Sequence, residues 1–230
     1  MSAPRTARAR ARAEITQEIV DAGRRQLATD GAAGLSLRAI ARELGMVSSA
    51  VYRYFPSRDD LLTTLIVEAY DALGDAAEAA DDDPAAPAPT RLRRIGRAVR
   101  CWARAHPHEY ALVYGSPVPG YRAPFDTVRA ALRVQTRLVE VLALHPPERR
   151  PAPVSEPLAS QLAAVADRLP RPVPPALLAR GMTAWNLLIG SVSLELFGHY
   201  ANSVDDLDAL FECALDGMLE LVGWSPDPGA

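Results

Sequence analysis

Residues 31–62, GAAGLSLRAIARELGMVSSAVYRYFPSRDDLL, carry so many helix starts and stops that few folds accommodate them. Ser36 stands before an apolar-periodic run and can cap a helix through its hydroxyl. Leu37, Ile40, Ala41 and Leu44 then recur at helical spacing and define one buried face, with Arg38, Arg42 and Glu43 on the other. Gly45 ends that helix, because glycine enters the left-handed region at little cost. Ser48 or Ser49 can cap the next helix, in which Val51 and Phe55 at i,i+4 pack inward. Pro56 stops it, and Ser57 with Asp60 three residues on makes a capping-box start for another. Two short helices around a glycine turn are the sequence form of a helix-turn-helix, whose second helix fits the DNA major groove.

Upstream, Ile15, Ile19, Ala22 and Leu27 give a helix over about Arg12 to Thr29 its apolar face, and Gly31 closes it. Three helices of this size form a small core that holds a recognition helix rigid. These residues resemble the DNA-binding domain of TetR-family transcriptional regulators. The resemblance rests on Ile19, Ala22, Leu27, Gly31, Gly34-Leu35-Ser36-Leu37-Arg38, Ile40-Ala41, Leu44-Gly45, Ser49-Ala50-Val51-Tyr52-Arg53-Tyr54-Phe55 and Ser57-Arg58-Asp59-Asp60-Leu61-Leu62. It covers roughly the first quarter of the chain, in order and without a gap.

Charge is distributed as that resemblance implies. The 230-residue chain has a net charge of −3, yet residues 1–60 hold ten arginines against seven acids. The remaining residues hold fifteen arginines against twenty-one acids. The basic end is therefore the helix-turn-helix end. All twenty-five basic residues are arginine. Arg5, Arg8, Arg10 and Arg12 precede the first helix as a basic arm. It is read either as a phosphate or minor-groove contact that adds salt-dependent affinity, or as a solvated tail.

Beyond the helix-turn-helix the pattern stays helical from Arg58 to about Ala80, then breaks at Asp81-Asp82-Asp83-Pro84, read as a solvated helix end. Thr90 can cap the next helix, which ends at His106-Pro107. Pro107 starts a short helix through Tyr114, and GSPVPGYRAP is a loop. Pro124 opens a long helix to about Leu144, HPPERRPAPV is a second loop, and residues 156–169 form another short helix. Residues 175–199 and 204–222 close the chain as two helices, the last capped by Ser203 and Asp206. No segment alternates as a strand does. The expectation is an all-α protein of about nine or ten helices. It divides into a DNA-binding domain over 1–60 and a ligand-binding and dimerisation domain over 61–230.

The C-terminal part, about residues 90–220, resembles the regulatory domain of a TetR subgroup with a Trp-His-Gly signature on a late helix. Trp185 and Gly190 match, and Ile189 stands where the histidine usually is. This removes a polar group from the pattern. The resemblance implies a cavity for a small hydrophobic effector, with Trp102, Tyr110, Tyr114, Phe125, Gln135, Trp185, Ile189 and Phe197 as candidate lining. A homodimer through 175–199 and 204–222 is expected, because each of those helices has more apolar positions than one internal face needs.

Toward DNA the candidates are the arm, then Ser48, Ser49, Ala50, Tyr52, Arg53 and Tyr54 on the recognition helix. Small residues at its start allow close approach to base edges. Arg53 can read guanine bidentately or clamp phosphate. Tyr52 and Tyr54 offer hydroxyls for positioning. Ser36 and Arg38 stand at the head of the preceding helix, where a phosphate can sit. Arg58 resembles the family's phosphate-contacting basic residue.

The expected activity is a ligand-responsive repressor released from a palindromic operator. An effector among the helices near Tyr114, Phe125 and Trp185 would change the spacing of the recognition helices. The alternative is a TetR-like protein that binds lipid or another hydrophobic ligand without DNA. An enzyme is not expected, since no nucleophile–base set, phosphate loop or metal cluster stands out. His106 and His108 flank a break without a nearby cysteine, so neither metal nor cofactor is expected. Cys101 and Cys213 lie far apart and suit a reduced, cytoplasmic protein. The N-terminus has no secretory apolar core, and no run reaches the roughly eighteen apolar residues of a membrane span.

Overall fold

A computed structural model describes residues 7–145, 152–167, 169, 171 and 173–225. Among these every regular element is a helix, and there are eleven: α1 (Ala7–Gly34), α2 (Leu37–Glu43), α3 (Ser48–Val51), α4 (Arg58–Ala80), α5 (Ala88–Ala105), α6 (Pro107–Tyr114), α7 (Thr127–Ala131), α8 (Arg133–Leu144), α9 (Leu158–Ala166), α10 (Pro175–Leu196) and α11 (Leu207–Val222). The all-α expectation holds. The count exceeds nine or ten because the single helix expected after Pro124 is two, α7 and α8, separated where Leu132 leaves helical geometry at ψ 0. The described residues form two compact units, one within Met1–Tyr70 and His108–Val128, the other within Asp71–Pro107 and Arg129–Ala230.

In the first unit, Ile19, Ala22, Ile40, Val51, Leu61 and Leu62 are at most 1% exposed and form the centre of the core. Burial of each large side chain is worth about 1.5–3 kcal/mol. Local chemistry sets the turns between these helices. α1 departs from helical geometry at Gly31, whose φ is 68 and ψ 175. The Ser36 hydroxyl accepts from the Ala39 N–H at 3.4 Å, and the Ser36 N–H is taken by Oε1 of the buried Gln26 at 3.0 Å. Gly45 at φ 65 makes the turn that a side chain would strain. Ser57 and Asp60 form the reciprocal box, with the Asp60 N–H donating to Ser57 Oγ at 3.1 Å and the Ser57 N–H to Asp60 Oδ2 at 2.9 Å. The cap of α3 differs: Val47 holds the N-cap position and Ser48 opens the helix. α6 and its following loop belong to this unit as well. Leu112, Val113, Val118 and Tyr121 pack on the helix-turn-helix core, and the Tyr70 hydroxyl donates to the Val113 carbonyl at 3.3 Å.

In the second unit, α10 packs against α11, α9, α8 and α5. The inward face of α5, through Leu92, Ile95 and Val99, is at most 2% exposed. Its flank carries arginines that reach acids on α10 and α11. Arg97 grips Glu212 through two bonds of 2.8 and 2.9 Å, and Arg100 grips Glu195 at 2.6 and 2.9 Å. α5 starts at Ala88 after Pro87, so Thr90 lies inside its first turn and does not cap it. Asp206 caps α11, accepting from the Ala209 N–H at 2.9 Å, while Ser203 donates to the Tyr200 carbonyl.

The largest departure is at Asp81. It is not a solvated helix end: its side chain is 0% exposed and that of Arg91 2%. Arg91 donates to both carboxylate oxygens, at 2.6 and 2.7 Å, and Arg137 Nε lies 2.7 Å from Oδ2. The three groups join the end of α4 to α5 and α8. Burial alone would raise the Asp81 pKa. The Arg91 hydrogen bonds and the charges of Arg137 and Arg91 overcome it and hold the carboxyl below the usual value of 3.8.

Removing one member of a buried ion pair leaves the other charge uncompensated. Asp81→Asn is therefore expected to lower unfolding free energy by about 3–5 kcal/mol, read from the midpoint of chemical denaturation. A depressed carboxylate contributes stability above its unfolded pKa and loses it as pH falls through the folded one. The wild type should weaken as pH drops below 3.8, and Asp81→Asn should lack that part of the acid limb. Parallel acid limbs in the two proteins would exclude this role.

Candidate nucleic-acid interface

α2 and α3 meet across the Gly45 turn as a helix-turn-helix. α3 proper is one turn, Ser48–Val51. Bonds from the Arg53 N–H to Ala50 O at 3.2 Å and from the Tyr54 N–H to Val51 O at 2.9 Å carry the coil on to Tyr54. Val51 and Phe55 anchor it from below, at 0% and 5% exposure. Ser48, Ser49, Tyr52 and Arg53 are exposed, and Ala50 and Tyr54 are half-buried. The small residues thus stand at the head of the segment, with the long polar ones after them.

Pairing separates the arginines of this unit into two sets. Arg24 is held by Asp21 and Glu68, each at 2.5 Å, and Arg25 by Glu43 at 2.6 Å. Arg58 is half-buried and donates to the Ala32 carbonyl at 2.7 Å and the Leu35 carbonyl at 3.2 Å, tying the end of α1 to the head of α4. Its guanidinium is thus already committed to the fold. Arg38 and Arg53 are exposed and have neither an ion pair nor a side-chain hydrogen bond among the described residues. Arg42 is in the same state, one turn after Arg38 on α2. It was not among the residues picked out from sequence, although the i,i+4 spacing from Arg38 is a readable signal. Unpaired guanidinium groups keep their charge and all five donors for phosphates or base edges.

The arm is helical from Ala7, and Arg8, Arg10 and Arg12 are exposed on it; Arg5 lies outside the described residues. Arg12 reaches the recognition segment. Its guanidinium sits 5.0 Å from the centre of the Tyr54 ring, and its Nη2 donates to the Arg53 carbonyl at 3.4 Å. A cation over an aromatic face is attracted by the ring quadrupole, so Arg12 steadies the Arg53-Tyr54 turn. Ser36 has its N–H and its hydroxyl lone pair engaged in the turn.

The eight residues expected to line an effector cavity divide between the two units. In the first, Tyr110 is fully buried with its ring 5.1 Å from that of Tyr114, whose hydroxyl pKa burial pushes up. Phe125 is 86% exposed. In the second, Trp102 is a core residue stacked on His106 at 5.1 Å, Ile189 is half-buried on α10, and Phe197 ends that helix at 46% exposure. Gln135 and Trp185 do meet. They line a cavity of about 270 Å³ between α8, α9 and α10, with Leu138, Leu142, Leu178 and Met182 among its walls. The first unit has its own open cleft of about 450 Å³ beside Leu27, Ala32, His108 and Val118. Among the described residues no three His, Cys, Asp or Glu come together as metal ligands do, and no helix is long and apolar enough to cross a membrane.

Known proteins share both halves of this architecture. The family described as bacterial regulatory proteins, tetR family, matches residues 19–65. The tetracyclin repressor-like C-terminal domain matches residues 92–218. The HTH-type transcriptional regulator Rv1816 of Mycobacterium tuberculosis is 44% identical over 209 residues, covering 88% of this chain and 89% of that protein. The crystal structure of the protein SCO4313 is similar at 36% identity with a TM-score of 0.80, covering 94% of this chain and all of the other. A bacterial regulatory protein in the tetR family from Rhodococcus RHA1 shares the fold at 20% identity and TM-score 0.60, over 92% of this chain and 98% of that one. A helix-turn-helix with unpaired arginines, followed by a matching regulatory half, agrees with these likenesses, and the chain belongs to the TetR family of bacterial transcriptional regulators.

Proposed function

We propose that this regulator is a cytoplasmic repressor that binds a palindromic operator as a homodimer and is released by a small hydrophobic effector. The observation that carries the DNA side of this reading is the state of Arg53. It is exposed, has no carboxylate partner among the described residues, and is held in backbone position by its N–H bond to Ala50 O and by Arg12 on its carbonyl. A rigid carrier with an uncommitted guanidinium suits bidentate recognition of guanine. Arg38 and Arg42 on α2, with Arg8 and Arg10 on the arm, supply phosphate contacts in this reading, and the hydroxyls of Ser48, Ser49 and Tyr52 supply positioning. We assign Arg58 a structural share as well, since its bonds to α1 set the angle at which the helix-turn-helix is held.

The dimer reading rests on α10. Met182, Leu187 and Leu194 are 54%, 38% and 41% exposed on a helix whose opposite side is core. Apolar side chains in that number on one helix favour coverage by a second copy, and a two-fold pair of α10 and α11 makes a four-helix bundle. The two recognition helices must then stand about 34–36 Å apart, or a multiple of one turn, to meet successive major grooves. We place the regulatory half in the Trp-His-Gly subgroup, with Trp185 on the cavity wall in support and Ile189 in place of the histidine. Effector and operator must weaken each other's binding by the same factor, because linkage is reciprocal.

Arg53→Ala is expected to weaken operator binding by about 1–3 kcal/mol and to relax preference at one base pair in each half-site, read by gel shift on the upstream DNA of the protein's own gene. A uniform loss on all sequences, with the salt slope smaller by about one, would assign Arg53 to phosphate instead. No DNA binding by the wild type would favour a hydrophobic-ligand carrier over a repressor. Light scattering should find a dimer at micromolar concentration, and Leu194→Glu should shift it toward monomer with unchanged helical circular dichroism. A monomeric wild type would remove the dimer from this reading.

A further inference from the structure

The cavity between α8, α9 and α10 has a chemistry that narrows its occupant. Among the described residues, none that lines it is ionisable. A charged ligand there would lose part of its hydration and gain no counter-ion from these walls, which is costly. The walls are mostly leucine, valine, methionine and tryptophan, with Gln135, Thr136 and Asn186 as the polar side chains. Among these Gln135 is distinct: its Oε1 is shut off from solvent and accepts no hydrogen bond among the described residues. A buried acceptor without a donor is destabilising, and a donor that reaches it recovers the lost bond. Rotation about the last side-chain torsion of glutamine is soft, so the carboxamide can turn to meet an occupant. The volume of about 270 Å³ sits near the lower end of small-molecule sites and suits a compact occupant.

We infer that this cavity binds a neutral, largely apolar small molecule bearing one hydroxyl or N–H donor, and that Gln135 is the residue that selects for the donor. The walls select for apolar bulk, and those among the described residues offer no counter-charge to a carboxylate or an amine. Trp185 supplies a flat face suited to an aromatic or alicyclic ring. The inference rests on the effector reading for its biological meaning, but binding and release of DNA are separate measurements.

The test uses the full chain and three probes of one shape: p-propylphenol, its isostere p-propyltoluene, and the p-propylbenzoate anion. Isothermal titration should show the phenol bound about tenfold or more tightly than the isostere, the scale of one hydrogen bond made to an otherwise orphaned acceptor. The anion should give no binding heat. Gln135→Leu keeps the side-chain bulk and removes the acceptor. It should match or exceed the wild type in thermal stability, reduce phenol affinity to that of the isostere, and leave the isostere's affinity unchanged or higher. Val139→Trp, which fills the cavity, should abolish binding of both while retaining helical circular dichroism. Equal affinity of phenol and isostere in the wild type would overturn the inference. So would an anion bound as well as the phenol, no binding of any probe, or phenol binding unchanged in either variant. If Gln135→Leu instead shifts the monomer–dimer midpoint and leaves probe binding alone, a second copy covers the cavity and the inference also falls. Phenol binding that depends on Gln135 but leaves operator affinity unchanged would uphold this site while removing it as the switch.

Discussion

A carboxylate with no access to solvent organises the regulatory half of this protein. Asp81 closes α4 and accepts from Nε and Nη2 of Arg91 on α5, with Arg137 of α8 beside its Oδ2. Two consecutive helices and a third from further along the chain meet at one charge. The geometry admits little play, because a buried ion cannot move away from its counter-ions without losing more than it gains. The other polar ties around it are more exposed. Arg133, also on α8, reaches Asp71, Asp75 and Glu78 along one stripe of α4. α4 and α8 are thus joined by a ladder whose buried rung is Asp81 and whose outer rungs are salt-sensitive. The cavity lined by α8 and α10 has one wall held by this ladder, so its shape is set partly by electrostatics outside it.

Where a feature depends on one or two neighbouring residues, the sequence is readable. Ser36, Gly45 and the Ser57–Asp60 pair do what their side chains dictate, since capping and left-handed turns are decided within four residues. The apolar periods of α1, α2 and α5 likewise lead to their buried faces. Where a feature depends on distant partners, the sequence misleads. Asp81 lies in a run of three aspartates that reads as solvent-facing, and only the arrival of Arg91 and Arg137 makes its burial tolerable. Leu132 divides α7 from α8 without any glycine or proline to announce it. Thr90 is a good cap in isolation, but Pro87 and Pro89 start the helix earlier. Of the aromatic residues expected around an effector, Trp102 and Tyr110 went to cores, because an apolar ring carries no mark that distinguishes cavity wall from packed interior. Gln135 is the more informative residue, since an amide oxygen shut off from solvent needs a reason.

The arginines teach the same lesson around the helix-turn-helix. The chain has no lysine, so composition alone treats every cation in residues 7–70 alike. The structure sorts them by occupation. Arg24, Arg25 and Arg58 are used internally, and Arg12 is placed against Tyr54. Arg38, Arg42 and Arg53 are exposed and have no ion pair or side-chain hydrogen bond among the described residues. An electrostatic footprint is therefore smaller and sharper than a count of basic residues suggests.

The way α6 and its loop join the first unit limits how this protein can be taken apart. Leu112, Val113, Val118 and Tyr121 complete the core under the helix-turn-helix, and the Tyr121 hydroxyl lies 2.9 Å from that of Thr63. A head cut off after α3, or even midway along α4, leaves that floor behind. The DNA-reading head is consequently not a cassette. Grafting it onto the sensory half of another regulator requires carrying two separate stretches of chain. Recombination within a single gene segment therefore has no simple route to exchanging the head while keeping the rest of the chain.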